Sequence, residues 1–282
     1  MLRKIFNPAR LSRFQRTMVT VSSSDALVST EVDDKTGYAT VTLNRAPVNS
    51  LSLELMTEIV KTVDELERSN IRGMVLTSFS NKVFCAGLDI MEMVNPDLDR
   101  LRAVWTRLQD TWASLYGTSF PTVALINGHA PAGGCLLALC CEYRVMCNNF
   151  NIGLNETQLG LAVPPWLQGT MRQTIGTREA EIHCIKGTMF NSQDALKIGL
   201  VDELAAENGE AMQRALHYLN TFKQMSPYAR SATKLLMRNK DIEDMKRGRK
   251  EDVERFVENV MNSDFQNGLT VYLQSLKNRK NK

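Results

Sequence analysis

"PTVALINGHAPAGGCLLALCCEYRVMC" occupies residues 121–147, and the order of its textures decides the fold class. Pro121 opens a short apolar, β-branched run that ends at Asn127, the pattern of a buried strand left through Gly128. A glycine-bearing turn follows. From Gly133 to Cys141 the chain has helical length and almost no polar face, which implies a helix buried on all sides. Tyr143 to Met146 then reads as another strand. Strand, helix and strand in this order argue for an α/β unit with parallel pairing.

The same alternation extends outward. On the N-terminal side "YATVTLN" (Tyr38 to Asn44) and "GMVLTS" (Gly73 to Ser78) read as strands. Between them "LELMTEIVKTVDELERS" has apolar residues at helical spacing after a capping serine, Ser50 or Ser52. A further helix covers Leu98 to Tyr116. Beyond Trp166 the pattern is mostly helical, with "SQDALKIGLVDEL" giving a short capped helix and a final strand. Residues 209–282 read as several helices without a strand. Pro227 and the charge cluster "KRGRKED" (Lys246 to Asp252) are expected breaks, the cluster's cations being read as solvated helix faces. The division expected is a leader over 1–24, a core over 25–224 and a helical region over 225–282.

Composition narrows the class. The 282 residues are 43% hydrophobic and 23% charged, as in an ordinary globular protein, and no apolar run approaches membrane-spanning length. The formal charge of +3 is unevenly placed. The first 24 residues hold five of the 34 basic residues and no acid, so the remainder carries 29 basic against 31 acidic residues, a net of −2. That body carries no strong field for nucleic acid or an anionic membrane. The leader is Arg-rich, acid-free and Ser/Thr-bearing, the composition of a mitochondrial transit peptide, and the expected location is the matrix. Six cysteines (85, 135, 140, 141, 147, 184) include no CxxC, and the three histidines are scattered singly, so neither disulfides nor a metal site are expected.

Three features carry chemistry. Between Arg144 and Arg172 the sole charged residue is Glu156, in "GLNETQLGLAVPPWL". It is either a solvated loop acid or an acid/base held in an apolar site with a raised pKa. "FCAGLDI" (Phe84 to Ile90) follows a strand, and its Ala-Gly pair permits close backbone approach. "GHAPAGGC" (Gly128 to Cys135) opens the apolar helix, where first-turn N–H groups have no partner inside the helix and can face an anion. A carbonyl held between two backbone donors, with a carboxylate beside its α-carbon, is an arrangement for forming an enolate. Each placed donor can lower the barrier by about 3–4 kcal/mol.

"FCAGLDI", "INGHAPAGGC" and "NETQLG", in this order and at these separations, resemble the crotonase (enoyl-CoA hydratase/isomerase) superfamily over about residues 30–275. Within it "PAGGCLLALCCEYR…NIGLNETQLGLAVPPWL" is similar to mitochondrial Δ3,Δ2-enoyl-CoA isomerases. The resemblance implies a spiral of repeated ββα units with C-terminal helices that complete the site and form trimers. It implies an acyl-CoA thioester substrate and an oxyanion hole made by the N–H groups of Leu88 and Gly133. It also implies a CoA path along Ala86, Gly87, Leu88, Asp89 and Ile90. Glu156 matches the family's base and Asn155 would touch the acyl chain. Hydratases of this family carry a second glutamate where Leu136 stands. Dienoyl-CoA isomerases carry an aspartate where Pro164 stands. Both departures argue for moving a 3-enoyl double bond to position 2, with no metal, flavin or nicotinamide. An enoyl-CoA hydratase and a non-catalytic acyl-CoA-binding relative are the alternatives. Of the remaining residues, His129 is expected to be structural and Asp89 to support its loop, while Trp166 is either a pocket wall or a core aromatic.

Overall fold

The computed structural model describes residues 26–280. The expected leader lies outside them. A hairpin that the sequence reading did not include comes first: β1 (Val28–Val32) runs antiparallel to β2 (Tyr38–Leu43), with Val28 opposite Leu43. Its turn is closed by Asp33, whose Oδ1 accepts from the Lys35 and Thr36 N–H groups at 2.7 and 3.2 Å. Next comes α1 (Leu53–Arg68), capped by the Ser52 side chain, which accepts from the Leu55 N–H. β3 (Gly73–Ser78), α2 (Leu98–Tyr116), β4 (Thr122–Ile126) and β5 (Ala130–Pro131) lead to α3 (Gly133–Cys140). β6 (Tyr143–Cys147), β7 (Asn151–Gly153), α4 (Pro165–Ile175), α5 (Thr177–Lys186), β8 (Phe190–Asn191), α6 (Ser192–Lys197), β9 (Glu203–Ala205) and α7 (Asn208–Asn220) follow. Two helices complete the chain, α8 (Pro227–Met261) and α9 (Ser263–Lys280).

The main sheet has the order β1-β2-β3-β4-β6-β9 and is parallel from β2 onward. Alternation along its strands feeds two cores. Met74, Leu76, Ala124, Ile126 and Met146 face the large core that includes α1, α2 and α3. Val75, Val123, Leu125 and Val145 face Ala211, Ala215 and Leu219 of α7. Covering both faces explains why β3 and β4 read as continuous apolar runs. Beyond the carboxyl ends of β4 and β6 the chain enters the short strands β5 and β7, which pair with each other and with β8 in a second sheet. Strand, short strand and helix repeat as β4-β5-α3 and β6-β7-α4, the ββα spiral implied by the resemblance. Every residue of α3 is buried.

The break expected at "KRGRKED" is absent: α8 runs unbroken from Pro227, its first turn capped by the Ser226 side chain. Lys246 and Arg247 lie on an exposed helix face, as expected, and charges pair along it, Lys240 with Asp244, Lys246 with Glu243, Arg247 with Asp244 and Arg255 with Glu251. Each such pair adds a few tenths of a kcal/mol, about enough together to offset the ~1 kcal/mol cost of Gly248 in a helix interior. Tertiary anchors decide the matter. Arg249 pairs with Asp110 at 2.6 Å, and Asp252 is buried against α2 and α4. The N-terminal half of α8 is held by Glu142, which pairs with Arg230 and, at 2.6 Å, with Lys234. Lys234 also donates to Thr118 Oγ1 and the Phe120 carbonyl at 2.7 and 3.0 Å. Burial lowers its pKa to about 8. Among the described residues no helix is long and apolar enough to cross a membrane.

Candidate active site

The loop after β3 is laced to the loop before α1. Ala86 N–H donates to the Val48 carbonyl at 3.0 Å, Leu51 N–H to Gly87 at 2.8 Å, and Asp89 N–H to Leu51 at 3.1 Å. Leu51 and Leu88 thereby form a parallel bridge. In such a bridge both polar groups of Leu51 reach the neighbours of Leu88, so the Leu88 N–H points to the opposite side. Among the described residues nothing accepts from it. Arg45 braces the arrangement, donating to the Ser50 carbonyl at 3.0 Å and pairing with Asp89 at 2.7 Å. Asp89 also caps the single 3-10 turn Ile90–Met93 by accepting from the Met91 N–H. Asp89 thus supports its loop, as expected.

The first turn of α3 lies directly on this loop. A Cβ on Gly134 would stand 2.1 Å from the Cys85 carbonyl oxygen, and one on Gly133 would stand 3.1 Å from the Gly87 Cα. Only glycines permit that contact. Ala132, just before the helix, has φ 47° and ψ −117°, a conformation costly for a residue with a side chain. It is held by its N–H donating to Gly153 at 2.8 Å, and its carbonyl accepts the first helical bond, from Leu136. The Gly133 N–H has no acceptor among the described residues. At the far end of α3, Arg238 donates to the Cys140 carbonyl and Arg144 to that of Cys141. The negative pole of the helix is thus neutralised and its positive pole left free.

Glu156 comes to this place through the second sheet. Gly153 pairs with Pro131, so the chain leaves β7 beside the start of α3, and Glu156 opens a 3-10 turn three residues later. Gly160 ends that turn with φ 81°. Glu156 as a residue is half-buried, but its Oε2 has no solvent contact and no hydrogen-bond partner among the described residues; the same holds for Asn155 Oδ1. Burial raises the Glu156 pKa to about 7, opposed only by its own backbone N–H. Its charge is felt at the thiols of Cys135, in the first turn of α3, and Cys184, on α5, both of which burial already raises. Of the two readings left open for Glu156, the dry acid is the one found.

The structure therefore sets the loop of Ala86, Gly87, Leu88, Asp89 and Ile90 against Gly133 and brings the turn of Asn155 and Glu156 beside the start of α3. Trp166 is a core aromatic, its Nε1 bonded to Asp252 at 3.0 Å and its ring against Trp105 and Trp112. His129 is structural: its Nδ1 accepts from the Asn151 N–H at 3.1 Å and its ring meets Phe150 edge-on. Sequence reasoning missed Arg45 and Asn49. Buried Asn49 accepts from the Arg45 N–H and donates to Ser78 Oγ and the Phe84 carbonyl at 2.8 and 3.0 Å. The polar turn "NRAPVNS" was their only signal. Two clefts, of about 920 and 500 Å³, are also present; the second is lined by Thr157 and Cys184 and so adjoins the Glu156 turn. The first is at the far end of α3 by Lys234 and Arg238, the second between α4 and α5; neither includes Leu88, Gly133 or Glu156 in its walls.

Comparison with known proteins shows the family and the fold. The family model described as enoyl-CoA hydratase/isomerase matches residues 33–281. The mitochondrial enoyl-CoA delta isomerase 1 of Mus musculus is 38% identical over 256 residues, covering 90% of this chain and 88% of the relative. The Homo sapiens protein of the same name is 39% identical, covering 90% and 84%. The crystal structure of human mitochondrial delta3-delta2-enoyl-CoA isomerase superimposes with a TM-score of 0.88, at 38% identity, over 90% of this chain and 100% of that one. An enoyl-CoA hydratase from Bacillus halodurans shares the fold at a TM-score of 0.78 and 23% identity, over 87% and 100%.

Proposed function

The chain belongs to the enoyl-CoA hydratase/isomerase family, and from that premise we propose that it moves the double bond of a 3-enoyl-CoA, cis or trans, to the trans-2 position. The observation that carries this reading is a single dry carboxylate. Burial alone raises Glu156, with no contribution from a second acid, and Leu136, where a hydratase has its other glutamate, is fully buried among apolar side chains. One carboxylate suffices to move a proton between two carbons. Activating and adding water calls for more.

The thioester oxygen sits between the Leu88 and Gly133 N–H groups, which need no rearrangement to receive negative charge. Glu156, ionised, removes a proton from C2. The electron pair spreads over C2, C4 and the oxygen as a dienolate, and the two amides with the free pole of α3 stabilise it. The new carboxylic acid returns the same proton to C4 on the same face, and the double bond settles between C2 and C3. A pKa raised to about 7 makes Glu156 a stronger base than an ordinary carboxylate while leaving it able to ionise near neutral pH, so one group serves as base and then as acid. The sequence is redox-neutral and calls on no metal, flavin or nicotinamide; coenzyme A is part of the substrate. Asn155, Ala86, Gly87, Asp89 and Ile90 line the acyl-CoA path.

The family resemblance supports a homotrimer. Tyr228, Leu236 and Met237 on α8 are exposed apolar groups suited to such an interface. The relatives' names and the composition of residues 1–24 support the mitochondrial matrix as the location. Spectrophotometry separates the readings. A rise in conjugated-thioester absorbance with 3-enoyl-CoA supports the isomerase, loss of that absorbance from 2-enoyl-CoA indicates a hydratase, and silence with both indicates a binding protein.

A further inference from the structure

The charge cluster that was expected to break α8 hides an acid with another task. Asp252 is 8% exposed, and its Oδ2 accepts three N–H bonds: from Trp105 Nε1 at 2.8 Å, Gln109 Nε2 at 2.8 Å and Trp166 Nε1 at 3.0 Å. Trp105 in turn stacks on Phe256, with ring centroids 3.8 Å apart. Ion pairs flank this centre, Arg249 with Asp110 and Arg102 with Glu254 at 2.6 and 2.9 Å. An apolar side chain would fill this place without the cost of burying a charge. What the carboxylate adds is direction, because donors from α2 and α4 converge on one atom and allow α8 a single seat.

That seat matters downstream. Past Asp252 the chain turns into α9. There Phe265 is buried against Gly160, its Cδ2 3.4 Å from where a Gly160 Cβ would stand. Gln266 Nε2 donates to the Met93 carbonyl at 3.0 Å and to Val260 at 2.7 Å. Gly160 ends the Glu156 turn and Met93 ends the 3-10 turn after Leu88. α9 therefore straddles both halves of the site and helps exclude water from it. The titratable groups in electrostatic contact with Glu156 are the thiols of Cys135 on α3 and Cys184 on α5, raised by burial and uncharged at neutral pH. Among the described residues no charge from α8 or α9 acts on it.

We propose that Asp252 is a positioning residue for the proton transfer: by pinning α8 to α2 and α4 it holds α9 over the Glu156 turn and keeps that carboxylate dry. This rests on the isomerase reading above. The test is the pH dependence of kcat/KM for a 3-enoyl-CoA, measured on the full chain, Asp252→Ala and Asp252→Asn. In Asp252→Ala the acid limb drops by about one pH unit or more as water reaches Glu156. Above the limb kcat falls about three- to tenfold with the weaker base. Asp252→Asn brings the limb most of the way back, since the amide keeps an acceptor oxygen. It also offers an N–H to Gln109 Oε1, which has no partner among the described residues. Should Asp252→Ala fail to fold, Trp166→Phe deletes one donor and predicts a smaller move in the same direction. A limb that stays put in folded variants, with only thermal stability lost, overturns the proposal and leaves Asp252 a purely structural anchor. An unsubstituted protein that turns over no 3-enoyl-CoA overturns both this proposal and the reading beneath it.

Discussion

Replacing Glu156 by Gln should stabilise the protein, and by an amount that depends on pH. The carboxyl titrates near 4.5 in an unfolded chain and at about 7 in the folded one, where burial is the dominant cause. A raised folded-state pKa means that the folded protein holds the proton more tightly. Below pH 4.5 both states are protonated and burial of this group costs nothing extra. Between 4.5 and 7 the unfolded chain ionises while the folded one resists, so stability falls as pH rises; above 7 the whole cost is in place. At about 1.4 kcal/mol per pH unit the cost levels off at about 3–4 kcal/mol, of which about 2 kcal/mol accrues between about pH 5.5 and pH 8. Glutamine has the same shape and no charge to bury. Urea denaturation at the two pH values, followed by the fluorescence of the buried Trp105, Trp112 and Trp166, measures the difference. The stability advantage of Glu156→Gln should widen by about 2 kcal/mol from the lower to the higher pH. An advantage equal at both, or a variant less stable at pH 8, would refute the claim that Glu156 is held dry at a cost.

Further outcomes follow from the same geometry. Because the base must be ionised, kcat/KM should rise with pH through about 7 and then level, as a pH–rate profile will show; a limb near 4.5 would mean a solvated carboxylate. Gly134→Ala places a Cβ 2.1 Å from the Cys85 carbonyl oxygen. It should cost about 1–3 kcal/mol in denaturation and lower kcat as the Leu88 loop is displaced. Glu142→Gln leaves Arg230 and Lys234 buried without their anion. A loss of about 3–5 kcal/mol is expected, and an unchanged unfolding midpoint would show that the α8 anchor is not where the structure places it.

What was readable from sequence follows physical rules of two kinds. Local periodicity and punctuation yielded α1, α2, α3 and the strands β2, β3, β4 and β6; the apolar runs of β3 and β4 reflect burial on both faces. Glu156 stood out because its surroundings hold no other charge, and that emptiness is what raises its pKa. β1 escaped because its burial fades along its length and half of it faces solvent. β5 and β8 have only two residues each and β7 three, too few to show a period. The remaining misses are tertiary. Arg45 meets Asp89 across 44 positions and Asp252 meets Trp105 across 147, and nothing near either residue in sequence announces the partner. The charged run around Asp252 looked like a break because local composition cannot distinguish an exposed acid from one received by two indoles.

The most direct test of a single carboxyl moving one hydrogen is isotopic. A 3-enoyl-CoA carrying deuterium at C2 is turned over in ordinary water and the product examined by NMR or mass spectrometry. A dry Glu156 should deliver a substantial share of that deuterium to C4. Product whose new C4 hydrogen comes entirely from solvent would contradict the account, because the proton would then have passed through water or a second acid.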